Sequence, residues 1–388
     1  MSRMSRRGVL SAGAGAITGL GLAGGMWLTG APPGEPTSSS QGQTYSPFGE
    51  HQSGIVTPTP ASAELVALDL KPEVDKAALG RLLRVWSTDI AALMRGVPAP
   101  GDTMRDLAQP GTSLTVVVGL GPRVFTLDGL QDKLPAGLLA VPPMKHDRLT
   151  DEYSGGDLLL WASADDFTTV AYALRRLVSD AAAWANPRWR QRGFWRGVDG
   201  AGQPVTGRNL FGQVDGTANP TGETARETIW ATDGWLAGGT QLVVRRIAMN
   251  LDEWEKLTRN QMERALGRDL AHGAPLSGGT EFSPMDFSAT DDDGQPAIPL
   301  DAHARLAHPE NNRGRRMHRR GLNYSDHTGS GLIFNAFQAD ITKQFVPVQR
   351  TLDDSDALNE WTTAVGSAVF AIPPGMREGG FLGEGLFR

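Results

Sequence analysis

Apolar and polar positions in the first half of the chain follow the element order β-α-β-β-α. Residues 64–71 alternate between apolar and polar side chains, which is typical of a half-buried strand. Apolar side chains then recur every three to four positions across residues 79–93 and predict an amphipathic helix. Residues 114–118 and 157–161 are mostly apolar and predict two more strands. A second helical stripe follows, formed by Phe167, Val170, Leu174, Leu177 and Val178.

The second half of the chain resembles the first. Residues 241–249 predict a strand, and Asn250 caps a helix with Glu253 three positions on, an arrangement like a capping box. The apolar stripe of that helix is Leu251, Trp254, Leu257, Met262 and Ala265. The later elements are predicted at 331–338 (strand), about 356–365 (helix) and 368–372 (strand). The sequence therefore predicts an α+β fold of two ferredoxin-like units, β-α-β-β-α-β, packed together.

Two long segments without a clear period lie between these elements. They cover about 185–235, rich in glycine, arginine, asparagine and tryptophan, and about 268–330, which contains six arginines between positions 305 and 320. Irregular stretches of this length in a compact domain are usually functional or disordered, and this composition argues against disorder. We therefore expect functional residues there, and we divide the ordered chain into domains at 45–220 and 221–388.

The N-terminal 44 residues are predicted to be a targeting segment and a linker. Residues 5–10 read Ser-Arg-Arg-Gly-Val-Leu, a twin-arginine motif, and an uncharged, weakly apolar stretch follows as far as Gly30. That stretch is long enough for a transmembrane anchor, but its low hydrophobicity favours an export signal. Residues 31–44 are rich in proline, serine and glycine, which is typical of a disordered linker.

Composition excludes several kinds of protein. The chain has 388 residues, of which 40% are hydrophobic, so it can bury a full core but is too polar for a membrane protein. Its net charge of -6 gives no reason to expect nucleic acid as a partner. It contains no cysteine, which excludes disulfides, iron–sulfur clusters and thiolate-bound haem. A metal would have to bind histidine, carboxylate or tyrosine.

The residues suited to chemistry are ambiguous when taken one motif at a time. Gly212-Gln213-Val214-Asp215-Gly216 is, by itself, more typical of a tight turn than of a site. Four of the seven histidines fall in the second long segment, at 303, 308, 318 and 327. The zinc-protease spacing His-Glu-x-x-His is absent. Each histidine alone is therefore more simply explained as a surface or hydrogen-bonded residue.

Taken together, the motifs resemble one family. In order along the chain they are Phe48-Gly49-Glu50-His51-Gln52-Ser53-Gly54-Ile55, Gly119-Leu120-Gly121-Pro122-Arg123-Val124-Phe125, Gly212–Asn219, Asp301-Ala302-His303-Ala304-Arg305-Leu306-Ala307 and Arg319-Arg320-Gly321-Leu322-Asn323-Tyr324. The sequence is similar to the dye-decolourising (DyP-type) haem peroxidases, particularly their twin-arginine-exported branch. The twin-arginine motif and the lack of cysteine agree with this resemblance.

The resemblance implies one haem b per chain, bound in the C-terminal unit. His303 would ligate the iron, and Asp215 and Arg319 would lie on the side where peroxide binds. Further haem contacts are implied for Gly216, Thr217, Ala218, His308, Pro309 and Glu310. Many relatives have asparagine at the position of His308, and this histidine is the competitor of His303 for the iron.

The implied function is reduction of hydrogen peroxide to water through a ferryl intermediate, with dye-like, phenolic or metal-ion reductants. The alternatives are a deferrochelatase-like protein that handles haem in iron uptake and a non-enzymatic haem-binding redox partner. Other implied partners are the twin-arginine translocase and, in a homo-oligomer, a second copy of the chain. The protein is expected to be extracellular, periplasmic or associated with the cell envelope.

Overall fold

The computed structural model describes residues 42–388. Almost all of the predicted targeting segment and linker, 1–44, therefore lies outside the described residues. Within the described range, no helix is both long enough and apolar enough to span a membrane.

The N-terminal unit contains four strands and two helices in the predicted order. They are β1 (Ser62–Leu70), α1 (Lys76–Leu93), β2 (Thr115–Leu120), β3 (Leu158–Ala164), α2 (Phe167–Ala181) and β4 (Ala185–Phe194). Both helices begin at aspartate caps, since Asp75 accepts a hydrogen bond from the Ala78 N–H and Asp166 accepts one from the Thr169 N–H. The expectation that residue 185 opens an irregular segment is wrong, because β4 occupies the first ten positions of that segment.

The C-terminal unit supplies the remaining strands and helices. They are α3 (Gly222–Ile229), β5 (Thr240–Met249), α4 (Leu251–Trp254), α5 (Arg259–Leu266), α6 (His303–Ala307), β6 (His318–Arg319), β7 (Leu322–Asp326), β8 (Gly329–Gln338), α7 (Phe345–Ser355) and β9 (Thr362–Ile372). The segment 268–330, expected to be irregular, therefore holds one short helix and two strands.

Two helix predictions in this unit need correction. The single helix expected after Asn250 is two helices, because Thr258 starts α5 with a capping box of its own to Gln261. The helix expected over about 356–365 is only a short 3-10 helix, Ala357–Glu360, because α7 ends at Ser355 and β9 begins at Thr362. Helix α7 was not predicted, because Pro347 argues against a helix when the sequence is considered alone. Proline is nevertheless tolerated in the first turn of a helix, which is where Pro347 lies.

The nine strands within residues 42–388 form one sheet, in the order β5-β9-β2-β3-β1-β4-β7-β8-β6, and a pairing of β5 with β8 closes it into a barrel-like ring. Each unit keeps the strand order of a ferredoxin-like fold, β4-β1-β3-β2 in the first and β9-β5-β8-β7 in the second. Two seams join the units, with Leu120 opposite Ala371 and Phe194 opposite Asn323. The predicted α+β fold of two ferredoxin-like units is confirmed, and their sheets are continuous.

Alternate residues of the strands pack into two different cores. In β1, Val66 and Leu68 belong to the core that also contains α1 and α2, whereas Leu65 and Ala67 face the other side of the sheet. That second core is rich in aromatic residues, including the stacked pair of Trp161 and Phe337. The barrel is thus filled by side chains, and a ligand cavity has to lie outside it.

One buried charged cluster joins α1 to α2. The Arg176 guanidinium donates to Asp89 at 2.8 Å and lies 3.2 Å from Asp180, so two carboxylates share one cation. Burial, followed by the neighbouring Asp89, raises the pKa of Asp180 to about 7. Asp180 is therefore protonated in the folded protein at mildly acidic pH, where an exposed aspartate is ionised.

This cluster predicts that thermal stability falls as pH rises through neutrality. An unfolded aspartate titrates near pH ~3.9, so the folded protein holds an extra proton between about pH 4 and pH 7. The stabilisation is complete below that window and is lost as pH rises through about 7. We expect a melting temperature a few degrees lower at about pH 8.5 than at about pH 5.5, measured by differential scanning fluorimetry.

The matched variants are Asp180→Asn and, as a control, Asp132→Asn at an exposed position. Asp180→Asn should lose most of the difference between the two pH values, because an amide does not titrate. Asp132→Asn should keep the difference. An Asp180→Asn profile identical to the wild type would rule out Asp180 as its source.

Candidate active site

A cavity lies in the C-terminal unit, outside the barrel. Its floor and walls are mainly apolar side chains, contributed by β5, β8, α7, the turn after α7 and the loops that carry residues 211 and 285. They include Phe211, Ile247, Met249, Met285, Leu332, Phe334, Phe345, Val348, Leu352 and Leu358. Most of the residues singled out from the sequence border this cavity, namely Asp215, Gly216, Thr217, Ala218, His303, His308, Pro309 and Arg319.

Asp215 is presented by a compact loop, residues 207–219, here called the Asp215 loop. A bridge between Arg208 and Val214 and a turn at Gly212, with φ of 80°, fold this loop into a small hairpin. The Asp215 N–H then donates to the Gly207 carbonyl at 2.9 Å. Its carboxylate accepts a hydrogen bond of 3.4 Å from the Asn209 side chain. The loop is thus a turn, and the turn aims the carboxylate into the cavity.

Arg319 comes to the same place from β6. Its guanidinium Nη1 lies 3.4 Å from Asp215 Oδ1, so a carboxylate and a guanidinium face the cavity side by side. Arg268 also lines this side. Burial, and next the positive charge of Arg319, lower the pKa of Arg268. The sequence did not single out Arg268, because nothing in its local pattern distinguishes it from a surface arginine.

His303 is the first residue of α6 and is oriented by a buried carboxylate. Its Nδ1 lies 2.6 Å from Asp356 Oδ2, and Asp356 also accepts the Leu358 N–H at 3.0 Å. Burial alone lowers the pKa of His303, but the charge of Asp356 and the hydrogen bond to it outweigh burial and raise that pKa. Because Nδ1 is engaged, only Nε2 is left to bind a metal.

Asp356 is a functional residue that the sequence pattern missed. It was placed inside a predicted helix, but it lies in the turn between α7 and β9. The Ala357 N–H donates to the Asp301 carbonyl at 3.0 Å, which holds this turn beside the start of α6. The separation of 53 residues between His303 and Asp356 leaves no local signal that could have paired them.

The rival histidine, His308, is held differently. Its Nδ1 accepts a hydrogen bond of 3.3 Å from the Glu310 N–H, and its ring packs edge-on against Phe287. Burial lowers the pKa of His308, and no carboxylate contacts its ring in the described part of the chain. Glu310, predicted as a haem contact, is exposed and is not among the residues that line the cavity.

The arrangement fits a haem. An imidazole held by a carboxylate suits iron, and apolar walls suit a porphyrin ring. Arg315 and Arg316 also line the cavity and offer cations for the carboxylate groups of a porphyrin. Asp215 and Arg319 provide a proton acceptor and a fixed positive charge in the same space.

Comparison with known proteins identifies the family. A dye-decolorizing peroxidase of Thermobifida fusca (strain YX) is 39% identical to this chain, over 98% of this chain and 97% of its own length. The family descriptions "Dyp-type peroxidase, N-terminal" and "Dyp-type peroxidase, C-terminal" match residues 52–195 and 206–377. The chain belongs to the DyP-type peroxidase family. It is therefore a haem peroxidase, as the motifs predicted.

Solved structures of DyP-type peroxidases superimpose closely. The enzyme from Cellulomonas bogoriensis gives a TM-score of 0.86 at 45% identity, covering 90% of this chain and 100% of its own. DtpA from Streptomyces lividans, described as an oxyferrous/water mixed complex, gives 0.86 at 40% identity, with 91% and 100% covered. A deferrochelatase of Escherichia coli O6:K15:H31 (strain 536 / UPEC) is also similar, at 32% identity over 91% of this chain and 89% of its own length.

Proposed function

We propose that this DyP-type peroxidase binds one haem b per chain through His303 and activates hydrogen peroxide with Asp215 and Arg319. The observation that carries this proposal is the cavity itself. It brings the His303–Asp356 pair and the Asp215–Arg319 pair to the same apolar space from four separate parts of the chain.

On the iron side, His303 would ligate through Nε2 while Nδ1 stays bonded to Asp356. A carboxylate behind a ligand imidazole fixes the orientation of the ring and makes the ligand more electron-rich. Gly216, Thr217, Ala218, His308 and Pro309 would contact the haem, since all five line the cavity. The bound haem supplies the redox chemistry of the reaction.

On the peroxide side, Asp215 would accept the proton from one peroxide oxygen and return it to the other oxygen, which leaves as water. Such an acceptor has to reach both oxygens, and the proposal gives this role to Asp215 because its carboxylate faces the cavity. Arg319 would hold the peroxide and stabilise the negative charge that develops on the departing oxygen. Arg268 adds positive charge to the same region.

The physiological setting is also a proposal. The twin-arginine motif at residues 5–10 supports export by the twin-arginine translocase, which carries folded, cofactor-loaded proteins. We infer an extracellular, periplasmic or envelope-associated enzyme that oxidises dyes, phenols or metal ions, as a monomer or a homo-oligomer.

A second function, release of iron from haem, is favoured by one observation. The deferrochelatase of Escherichia coli is similar over most of this chain, so two activities occur among close relatives. The same cavity would hold the haem in either case. A purely non-enzymatic haem-binding role is not supported, because the family is one of peroxidases.

The two functions are separated by the response of the haem-loaded protein to peroxide. We expect one equivalent of hydrogen peroxide to change the haem absorption spectrum within seconds, and a dye or phenol to restore it with loss of dye colour. An iron-releasing protein would leave the dye intact. Under reducing conditions it would instead produce free porphyrin, detected by fluorescence.

The ligand assignment predicts different outcomes for two histidine variants. His303→Ala should lose haem, measured as the ratio of Soret to protein absorbance, whereas His308→Ala should keep haem and its axial-ligand spectrum. Added imidazole should restore haem binding to His303→Gly, because it can occupy the vacated ligand position. A wild-type spectrum in His303→Ala, or loss of the axial ligand only in His308→Ala, would overturn the assignment.

The role of Arg319 predicts a slow reaction with peroxide in Arg319→Leu. Removal of one preorganised donor of this kind typically costs roughly 100- to 1,000-fold in rate. The second-order rate of the spectral change, measured by stopped flow, should fall by that factor while haem stays bound. Arg377→Leu, at an exposed position, is the control and should react like the wild type. Asp215→Asn tests the proton acceptor in the same assay.

A further inference from the structure

The guanidinium of Arg319 is only loosely held by its own contacts. Its ion pair with Asp215 is 3.4 Å long, beyond the 2.7–2.9 Å of a strong charge-assisted hydrogen bond. Among the described residues the structure gives this guanidinium no shorter ion pair. A long side chain with one loose contact can adopt many rotamers. The point from which the Arg319 side chain starts, and the direction in which it leaves the strand, therefore depend on how firmly its backbone is fixed.

The backbone of Arg319 lies at an open edge of the sheet. Strands β6 and β7 pair with β8 in one register, with Arg319 opposite Ala336 and Leu322 opposite Ile333. In such a ladder alternate residues bond to the partner strand. Arg320 does so, donating its N–H to the Asn335 carbonyl at 2.8 Å. The N–H and C=O of Arg319 therefore point away from β8.

The side chain of Asn219 fills this open edge. Its Nδ2 donates to the Arg319 carbonyl at 2.8 Å, and its Oδ1 accepts the Arg319 N–H at 2.9 Å. The carboxamide thus reproduces the two hydrogen bonds that a residue of a neighbouring strand would make. Both peptide groups that flank the Arg319 α-carbon are held, which fixes the direction in which its Cα–Cβ bond leaves the strand.

Asn219 is itself fixed by the Asp215 loop. It lies four residues after Asp215, and its N–H donates to the Gly216 carbonyl at 2.9 Å. The same loop anchors Asp215 through the bond of its N–H to Gly207. The Asp215 loop therefore carries the carboxylate and, through Asn219, also hydrogen-bonds to the strand that carries the guanidinium.

We propose that Asn219 is a positioning residue for the peroxide reaction, which sets the separation of Asp215 and Arg319 by holding the Arg319 backbone. This inference rests on the proposed role of Arg319. The side-chain amide of asparagine or glutamine offers a donor and an acceptor in one planar group that does not titrate, and the shorter asparagine meets the edge from this loop.

A double-mutant cycle distinguishes positioning from a general structural role. The rate of the peroxide-induced spectral change is measured in wild type, Asn219→Ala, Arg319→Leu and the double variant, all loaded with haem. We expect Asn219→Ala to lower the rate on the order of tenfold in the wild-type background. In the Arg319→Leu background it should change the rate by less than about twofold, because the group it positions is gone.

Asn219→Asp supplies a second readout. A protonated carboxyl can accept the Arg319 N–H and donate to its carbonyl, whereas an ionised carboxylate repels that carbonyl. An ordinary aspartate titrates near ~3.9. The rate of Asn219→Asp relative to wild type should therefore rise as pH falls from about 6 to about 4, while the relative rate of Asn219→Ala stays flat. Asn311→Ala, which removes an exposed amide bonded to the Arg305 carbonyl, is the matched control and should react like the wild type.

Each outcome decides the inference. A wild-type rate in Asn219→Ala, or an equal loss in both backgrounds, overturns it. If Asn219→Ala fails to bind haem, the rate of Asn219→Asp relative to wild type decides in its place. A relative rate that rises as pH falls supports the inference, and a flat relative rate overturns it. A wild-type rate in Arg319→Leu would instead refute the proposed role of Arg319, and that result is visible without any variant of Asn219.

Discussion

The seam between β4 and β7 is the constraint on which the active site depends. These strands meet at Phe194 and Asn323, and β4 ends there, so β6 continues along β8 without a neighbour on its other side. The chain that leaves β4 returns as the Asp215 loop and occupies that side. Closure of the barrel thus brings the carboxylate from one half of the sequence to the guanidinium of the other.

The charged groups around the cavity form two ion pairs, and three further arginine side chains add positive charge. Asp356 pairs with His303, and Asp215 pairs with Arg319. Arg268, Arg315 and Arg316 border the same space without a carboxylate partner among the ion pairs of the described residues. Cations in an apolar cavity favour an anionic ligand, and a porphyrin with carboxylate substituents meets that requirement.

The periodicity of apolar residues predicted most strands and helices, because the buried face of each element is formed by residues that are close together in the sequence. It failed at β4, where Gln191 and Gly193 take buried positions and the alternation of apolar and polar residues is lost, and at α7, where Pro347 lies in the first turn. For the site, motif order indicated Asp215, His303 and Arg319, and all three face one cavity. Asp356 and Asn219 were out of reach, since their partners are 53 and 100 residues away and only the folded sheet brings them together.

The residue that follows Asn219 also affects how readily Asn219 is deamidated over the lifetime of the protein. Asparagine deamidates when the backbone nitrogen of the next residue attacks the side-chain amide, and the product would be an aspartate at the edge of β6. The next residue here is Pro220, whose nitrogen carries no hydrogen and is closed in a ring. The side-chain amide that hydrogen-bonds to the Arg319 backbone is therefore protected from deamidation by this reaction. The geometry of the peroxide site is not lost in this way.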